Sequence, residues 1–199
     1  MKILVINGSY REDGVTDSAI TCAVEELEPA GHEVEQVVLR DTPLEFCLNC
    51  RHCMQEPGES PGKCVQDDQM DAIIERIESA DAYILAAPVN FGSVTAVFKR
   101  FMERLSGYGY WPEGQPYPKL RKEKVSPKKR ALIISSCAAP GLLGRMVFGS
   151  VRQLKNTATL IGAKPVDIVF VGHADQATTA GLRKRQVGEL RESTHRLVA

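Results

Sequence analysis

Ile3-Leu4-Val5-Ile6-Asn7-Gly8-Ser9-Tyr10-Arg11-Glu12-Asp13-Gly14-Val15-Thr16-Asp17 opens on four apolar residues and closes where helical spacing begins. An unbroken apolar run bounded by turn residues reads as a parallel strand buried on both faces, strand one, Lys2 to Ile6. The loop behind it then faces the carboxyl edge of a sheet, where open α/β sheets bind ligands. A helix starting near Thr16 or Asp17 points its unpaired N–H groups and positive dipole end back into that loop. Gly8 and Gly14 permit close backbone approach, Ser9 and Thr16 offer hydroxyls, and Arg11 neutralises part of a dianion. The same residues also suit ordinary helix capping and chain turning. No full G-x-x-x-x-G-K-[ST] or G-x-G-x-x-G pattern is present.

Strands and helices alternate along the rest of the chain, which predicts a doubly wound parallel sheet. Helix one runs from Asp17 to about Leu27, and strand two from Glu33 to Leu39. Helix two, capped by Asp67 and Asp68, buries Met70, Ile73, Ile74 and Ile77. Strand three is Ala82 to Ala87. Helix three carries the most regular stripe, Val94, Val97, Phe98, Phe101, Met102 and Leu105. Gly107 to Pro118 reads as an aromatic excursion, a lid or a subunit contact. The basic stretch Lys119 to Arg130 reads as a solvated linker or as a docking surface for the extra phosphate of NADPH. Strand four is Ala131 to Ser135, helix four about Leu143 to Ile161, strand five Pro165 to Val171, and a last helix follows Asp175.

With 199 residues, one domain spanning 1–199 is expected. Its 25 basic and 25 acidic side chains cancel, so no long-range field points to nucleic acid or to an anionic membrane. No apolar run reaches the length of a membrane span and no signal-peptide pattern opens the chain, so a cytoplasmic protein is expected. In that compartment clustered cysteines suggest metal or redox chemistry more than structural disulfides.

Parallel strands one, three and four deliver their following loops to one side of the sheet. The second loop, Pro88-Val89-Asn90-Phe91-Gly92-Ser93, combines backbone polar groups with an aromatic ring; the third, around Cys137 and Ala138, is small and apolar. A planar heterocycle on a phosphorylated tail fits all three. G-S-x-R-x-x-G-x-T after strand one and P-V-x-x-G-x-V-T-x-x-x-K-R-F after strand three resemble the flavodoxin-like NADPH-dependent FMN reductases. The resemblance implies a flavodoxin-like three-layer sandwich, with a five-stranded parallel sheet of order 2-1-3-4-5 and FMN at the switch between strands one and three. Ser9, Arg11, Gly14, Val15 and Thr16 would hold the phosphate. Pro88, Val89, Asn90, Phe91 and Gly92 would line the isoalloxazine, with Cys137 and Ala138 near it. Val15 stands where many relatives carry Asn, so only its backbone N–H serves, and Asn90 replaces a frequent Tyr. The implied reaction is hydride transfer from NADH or NADPH to FMN, then electron delivery to a small-molecule acceptor or a redox protein, with no side-chain acid or base required. Relatives are homodimers or homotetramers, and Tyr108, Tyr110 and Trp111 are the candidates for the border. A cofactor-free binding module of the same fold is the rival from another class.

The irregular segment from Arg40 to Gln66 holds Cys47, Cys50 and Cys53 at C-x-x-C-x-x-C spacing, then Cys64 after a ten-residue gap. Such thiolates can wrap a cubane. The arrangement resembles the iron-sulfur flavoprotein branch of the same reductases, which implies a [4Fe-4S] cluster beside FMN. A zinc site, with four thiolates or with three and His52, a Cys50–Cys53 dithiol and bare cysteines are the other readings. Cys22 reads as a small core residue.

Overall fold

The computed structural model describes residues 1–124, 128–174 and 181–199, with the backbone alone for 142, 143 and 146. Five strands make the main sheet: β1 (Lys2–Asn7), β2 (Glu33–Val38), β3 (Ala82–Pro88), β6 (Lys129–Ser136) and β7 (Ala163–Val171). Two short strands, β4 (Gly109–Tyr110) and β5 (Lys119–Leu120), pair as a separate antiparallel hairpin. The main sheet runs β2-β1-β3-β6-β7 with every neighbouring pair parallel, the order expected for strands one to five.

Alternation along each strand divides the core between two faces. Leu4, Ile6, Tyr83, Leu85 and Ile133 face α2 (Met70–Ser79), α3 (Ala96–Arg104) and α5 (Ser150–Leu160). Ile3, Val5, Ile84, Leu132 and Ile134 face α1 (Val15–Leu27) and α6 (Lys184–Val198). Burial on both faces explains why β1 and β3 are written as continuous apolar runs. Phe98 and Phe101 meet edge to face under the sheet, ring centroids 5.7 Å apart. Among the described residues no helix is long and apolar enough to cross a membrane.

Four expectations need correction. The single helix from Leu143 to Ile161 is two, α4 (Gly141–Val147) and α5, broken at Phe148 and Gly149. The break has a physical cause: the Gly149 N–H leaves the helical pattern to donate to Gly92 O at 2.9 Å. Asp67 and Asp68 do not occupy the cap position of α2, which is Gln69; Asp68 accepts the Met70 N–H but is chiefly engaged by Arg104. The basic stretch is not a solvated linker. Arg121 is buried, Lys122 pairs with Glu78 at 2.5 Å, and Lys129 donates to Ile77 O and Glu78 O. The stretch leads into the amino end of β6, opposite the ligand edge, and 125–127 lie outside the described residues. Tyr108 is wholly buried and donates to Glu78 Oε1 at 2.9 Å, so it belongs to the interior and not to a subunit border. Asp175, the expected boundary of the last helix, lies outside the described residues.

The end of β1 is packed so tightly that only glycine fits. A Cβ on Gly8 would stand 2.6 Å from Phe98 Cδ2 and 3.1 Å from Ala87 Cβ. Thr95, the N-cap of α3, accepts the Phe98 N–H and donates its hydroxyl to Gly8 O at 2.6 Å. Gly8→Ala is expected to lower the unfolding free energy by about 1–3 kcal/mol through overpacking, and Thr95→Ala by about 1–2 kcal/mol through loss of the cap. Urea titration measures both; an unchanged midpoint in either variant means that α3 has room to withdraw from the loop.

Candidate functional site

Three loops leave the carboxyl ends of β1, β3 and β6 side by side, as their parallel register requires. In the first, Asn7 is buried; its Oδ1 accepts the Ser9 N–H at 2.9 Å and its Nδ2 donates to Asp17 Oδ1 at 2.7 Å. Arg40 braces the same turn through Ser9 O and Asp17 Oδ2. Ser9 is itself buried and donates its hydroxyl to Arg11 O. α1 starts at Val15, two residues earlier than expected, and its N-cap Gly14 supplies no side-chain cap. The first-turn N–H groups of Val15, Thr16 and Asp17 therefore have no intrahelical acceptor. Arg11 is exposed beside them and, among the described residues, makes no ion pair or side-chain hydrogen bond. An anion placed there meets unpaired amides, a helix dipole and a free guanidinium, which is what a phosphate needs. Thr16 departs from the simplest expectation: it is buried, and its hydroxyl is bonded to Ser136 Oγ at 3.0 Å.

The second loop is held from three sides. Val89 N–H donates to Ser136 O at 2.7 Å; Gln153 Oε1 accepts from Ser93 Oγ and Val94 N; Gly149 N–H reaches Gly92 O. Within it Asn90 and Ser93 exchange backbone hydrogen bonds, leaving Phe91 fully exposed at φ +51° and Gly92 at φ +79°. Left-handed backbone on a bulky residue costs energy and persists where surroundings enforce it, often at functional sites. In the third loop Ala138 is exposed, whereas the Cys137 thiol turns inward, donating to Ala139 O. Burial pushes that thiol up from its ordinary value. Cys137 can thus face the crevice only with its backbone. Beside this loop lies a cavity of about 370 Å³ whose lining includes Arg145, Phe170, His173, Arg183 and Arg185.

The insertion places Cys47, Cys50, Cys53 and Cys64 around one small cavity, which His52 does not line. All four are free thiols. Burial raises the Cys53 thiol, and Cys64, Cys47 and Cys50 add to the shift by disfavouring another negative charge beside them. Among the described residues no three His, Cys, Asp or Glu side chains are gathered tightly enough for a single metal ion. Zinc requires every sulfur at about 2.3 Å, whereas a cubane takes one thiolate at each corner iron and so suits a wider ring of sulfurs.

Sequence reading missed the groups that hold these loops. Thr95 had a signal, since a threonine just before an apolar stripe is an N-cap pattern. Gln153, Arg104 and Arg121 had none. Arg121 donates to Gly107 O, Gly58 O and Cys53 O at 2.8, 3.0 and 3.4 Å. Trp111, expected at a subunit border, lies under Arg51, whose guanidinium is 3.9 Å from the ring centroid; its backbone N–H donates to Met54 O and its indole N–H to Gln115 O.

Comparison with known proteins agrees with this geometry. An iron-sulfur flavoprotein of Archaeoglobus fulgidus is 38% identical over 112 residues, covering 56% of this chain and 49% of that protein. One of Methanocaldococcus jannaschii is 36% identical over 104 residues, covering 52% and 51%. The chain thus spans about half the length of the curated relatives it matches. A solved NAD(P)H:quinone oxidoreductase from Methanothermobacter marburgensis shares the fold, with a TM-score of 0.72 at 19% identity over 100% of this chain and 99% of that one. Residues 1–174 match the family described as NADPH-dependent FMN reductase, and the chain belongs to that family.

Proposed function

We propose that residues 1–199 work as one FMN-binding unit, an NAD(P)H-dependent oxidoreductase that passes electrons from NADH or NADPH through FMN to a small-molecule or protein acceptor. The observation that carries this reading is the uncapped start of α1 beside Arg11, whose guanidinium makes no hydrogen bond or ion pair among the described residues. FMN, when bound, supplies the redox chemistry between nicotinamide and the final acceptor. The chain's own residues bind and orient. Arg11 and the amides of Gly14, Val15 and Thr16 hold the phosphate, with Ser9 shaping the turn. The backbone of Pro88, Val89, Asn90 and Gly92, with Ala138 and the main chain of Cys137, would border the flat ring, with the exposed Phe91 at its edge. Arg145 and Arg185 in the neighbouring cavity supply the positive charge that a dinucleotide's phosphates require. Exposed Tyr10, Phe46, Leu48 and Phe91, which follow the carboxyl ends of β1, β2 and β3, support assembly as a homodimer or homotetramer.

A second cofactor is favoured by a separate observation. The four thiols around one cavity support a [4Fe-4S] centre on Cys47, Cys50, Cys53 and Cys64, and the names of the relatives point the same way. Such a centre takes and gives single electrons, so with it the protein acts as a carrier between two-electron and one-electron partners.

Arg11→Glu is expected to weaken FMN binding about 10–100-fold, the equivalent of one lost hydrogen bond to a charged group. Fluorescence titration of the apoprotein measures this, and unchanged affinity removes the phosphate from this loop. Cys50→Ser is expected to abolish brown absorption in anaerobically purified protein while the yellow flavin bands remain. A variant that keeps both colours excludes Cys50 as a ligand.

A further inference from the structure

Cys64 is the weakest member of the cysteine set by sequence, since ten residues separate it from Cys53. The fold closes that gap on purpose-built backbone contacts. Gly62 N–H donates to Gly107 O at 2.9 Å, and neither residue tolerates a side chain. A Cβ on Gly62 would meet Cys53 O at 1.9 Å, and one on Gly107 would meet Gly62 O at 2.4 Å.

At the end of this return stands Arg104, the last residue of α3, its side chain fully buried. Nη1 donates to Asp68 Oδ2 at 2.5 Å and to Glu45 O at 2.9 Å. Nη2 donates to Asp68 Oδ1 at 3.0 Å and to Cys64 Sγ at 3.5 Å. Its buried Nε has no partner among the described residues. One guanidinium therefore touches the chain two residues before Cys47, four residues after Cys64, and Cys64 itself. A tie between elements needs only the carboxylate and the carbonyl. The donor directed at sulfur has a different use, because arginine stays protonated and accepts nothing, so it favours a thiolate over any other state of that sulfur.

We infer that Arg104 is a positioning residue for a four-thiolate iron-sulfur centre: it holds Cys64 as the fourth ligand against Cys47, Cys50 and Cys53 and hydrogen-bonds the ligating sulfur. The inference rests on the iron-sulfur reading above and is independent of FMN. Four thiolates leave such a centre anionic, and Arg104 places a fixed cation beside it, with Asp68 orienting the fork. Each thiol that ligates releases its proton to solvent, and the core, half ferrous and half ferric, forms without net electron transfer when both oxidation states of iron are supplied in equal amounts with sulfide.

The test uses the full chain, loaded with FMN and reconstituted anaerobically with equal amounts of ferrous and ferric iron and with sulfide, as wild type, Cys64→Ser, Arg104→Lys and Arg104→Gln. Iron and acid-labile sulfide per chain, retention against a chelator, the centre's reduction potential and the FMN dissociation constant are measured on each. Wild type is expected to hold four irons, and Cys64→Ser to hold fewer. Both arginine variants are expected to lose metal about 10–100-fold more readily, the usual effect of removing a group that orients a ligand. Their FMN affinity is expected to be unchanged. In Arg104→Lys, which keeps the charge and loses the fork, the potential is expected to fall because a hydrogen bond to sulfur is lost. Wild-type retention and potential in both arginine variants overturn the inference, as does a complete centre in Cys64→Ser. Parallel loss of FMN and metal in both arginine variants also overturns it, since Arg104 then serves only the fold. Wild type that binds FMN but takes up no iron overturns both this inference and the iron-sulfur reading while the flavin reading stands; uptake of iron without FMN overturns the flavin reading alone.

Discussion

The hydrogen bond from the Thr95 hydroxyl to Gly8 O, 2.6 Å long and buried, joins the turn leaving β1 to the start of α3. Two loops separated by more than eighty residues are thereby fixed relative to each other, and both border the same crevice. The bond works because Gly8 has no side chain: Phe98 and Ala87 close over its Cα, and the Gly8 N–H donates to Ala86 O. Backbone held this closely at the carboxyl edge of the sheet is already ordered, so little order has to be created for anything that binds there.

α3 runs from that crevice to the cysteine insertion. Its first residues cap against Gly8, its middle buries Phe98 and Phe101, and its last residue carries the guanidinium that meets Cys64. Burial alone would raise the Asp68 carboxyl, but hydrogen bonds from Arg104 and from the Glu45 and Met70 amides outweigh it and hold the carboxyl below its ordinary value. Asp68 is thus ionised throughout the physiological range, and the pair stays charged inside the protein. Removing one partner of such a pair costs about 3–5 kcal/mol, which makes the insertion a firmly attached part of the fold.

How much of this could be read beforehand depended on the range of the interaction concerned. Strands buried on both faces announce themselves as apolar runs, so β1, β3 and β6 were legible, as was the loop between β1 and α1, whereas the strand order followed from the resemblance to the flavodoxin-like reductases. The C-x-x-C-x-x-C spacing was visible for the same local reason. The break between α4 and α5 was not, because apolar spacing continues through it and the cause is the carbonyl of Gly92, far away in sequence. Arg104 and Arg121 were hidden more deeply. A charged residue has no periodic signature, and the partners of Arg104 lie 36, 40 and 59 positions away. Arg121 sat in a basic run that resembles a surface linker, and Tyr108 in an aromatic run that resembles an interface.

The hairpin of β4 and β5 changes what it means to own the cysteine segment. Met54, Gly58 and Gly62 are gripped by Trp111, Arg121 and Gly107, residues that lie beyond α3 in the chain. Residues 40–66 are therefore only half of a bipartite module whose second half is 107–121. Grafting 40–66 alone onto a scaffold without 107–121 would leave Met54, Gly58 and Gly62 without these partners, and only the Arg104 contacts, where that residue is kept, would hold the four thiols in place.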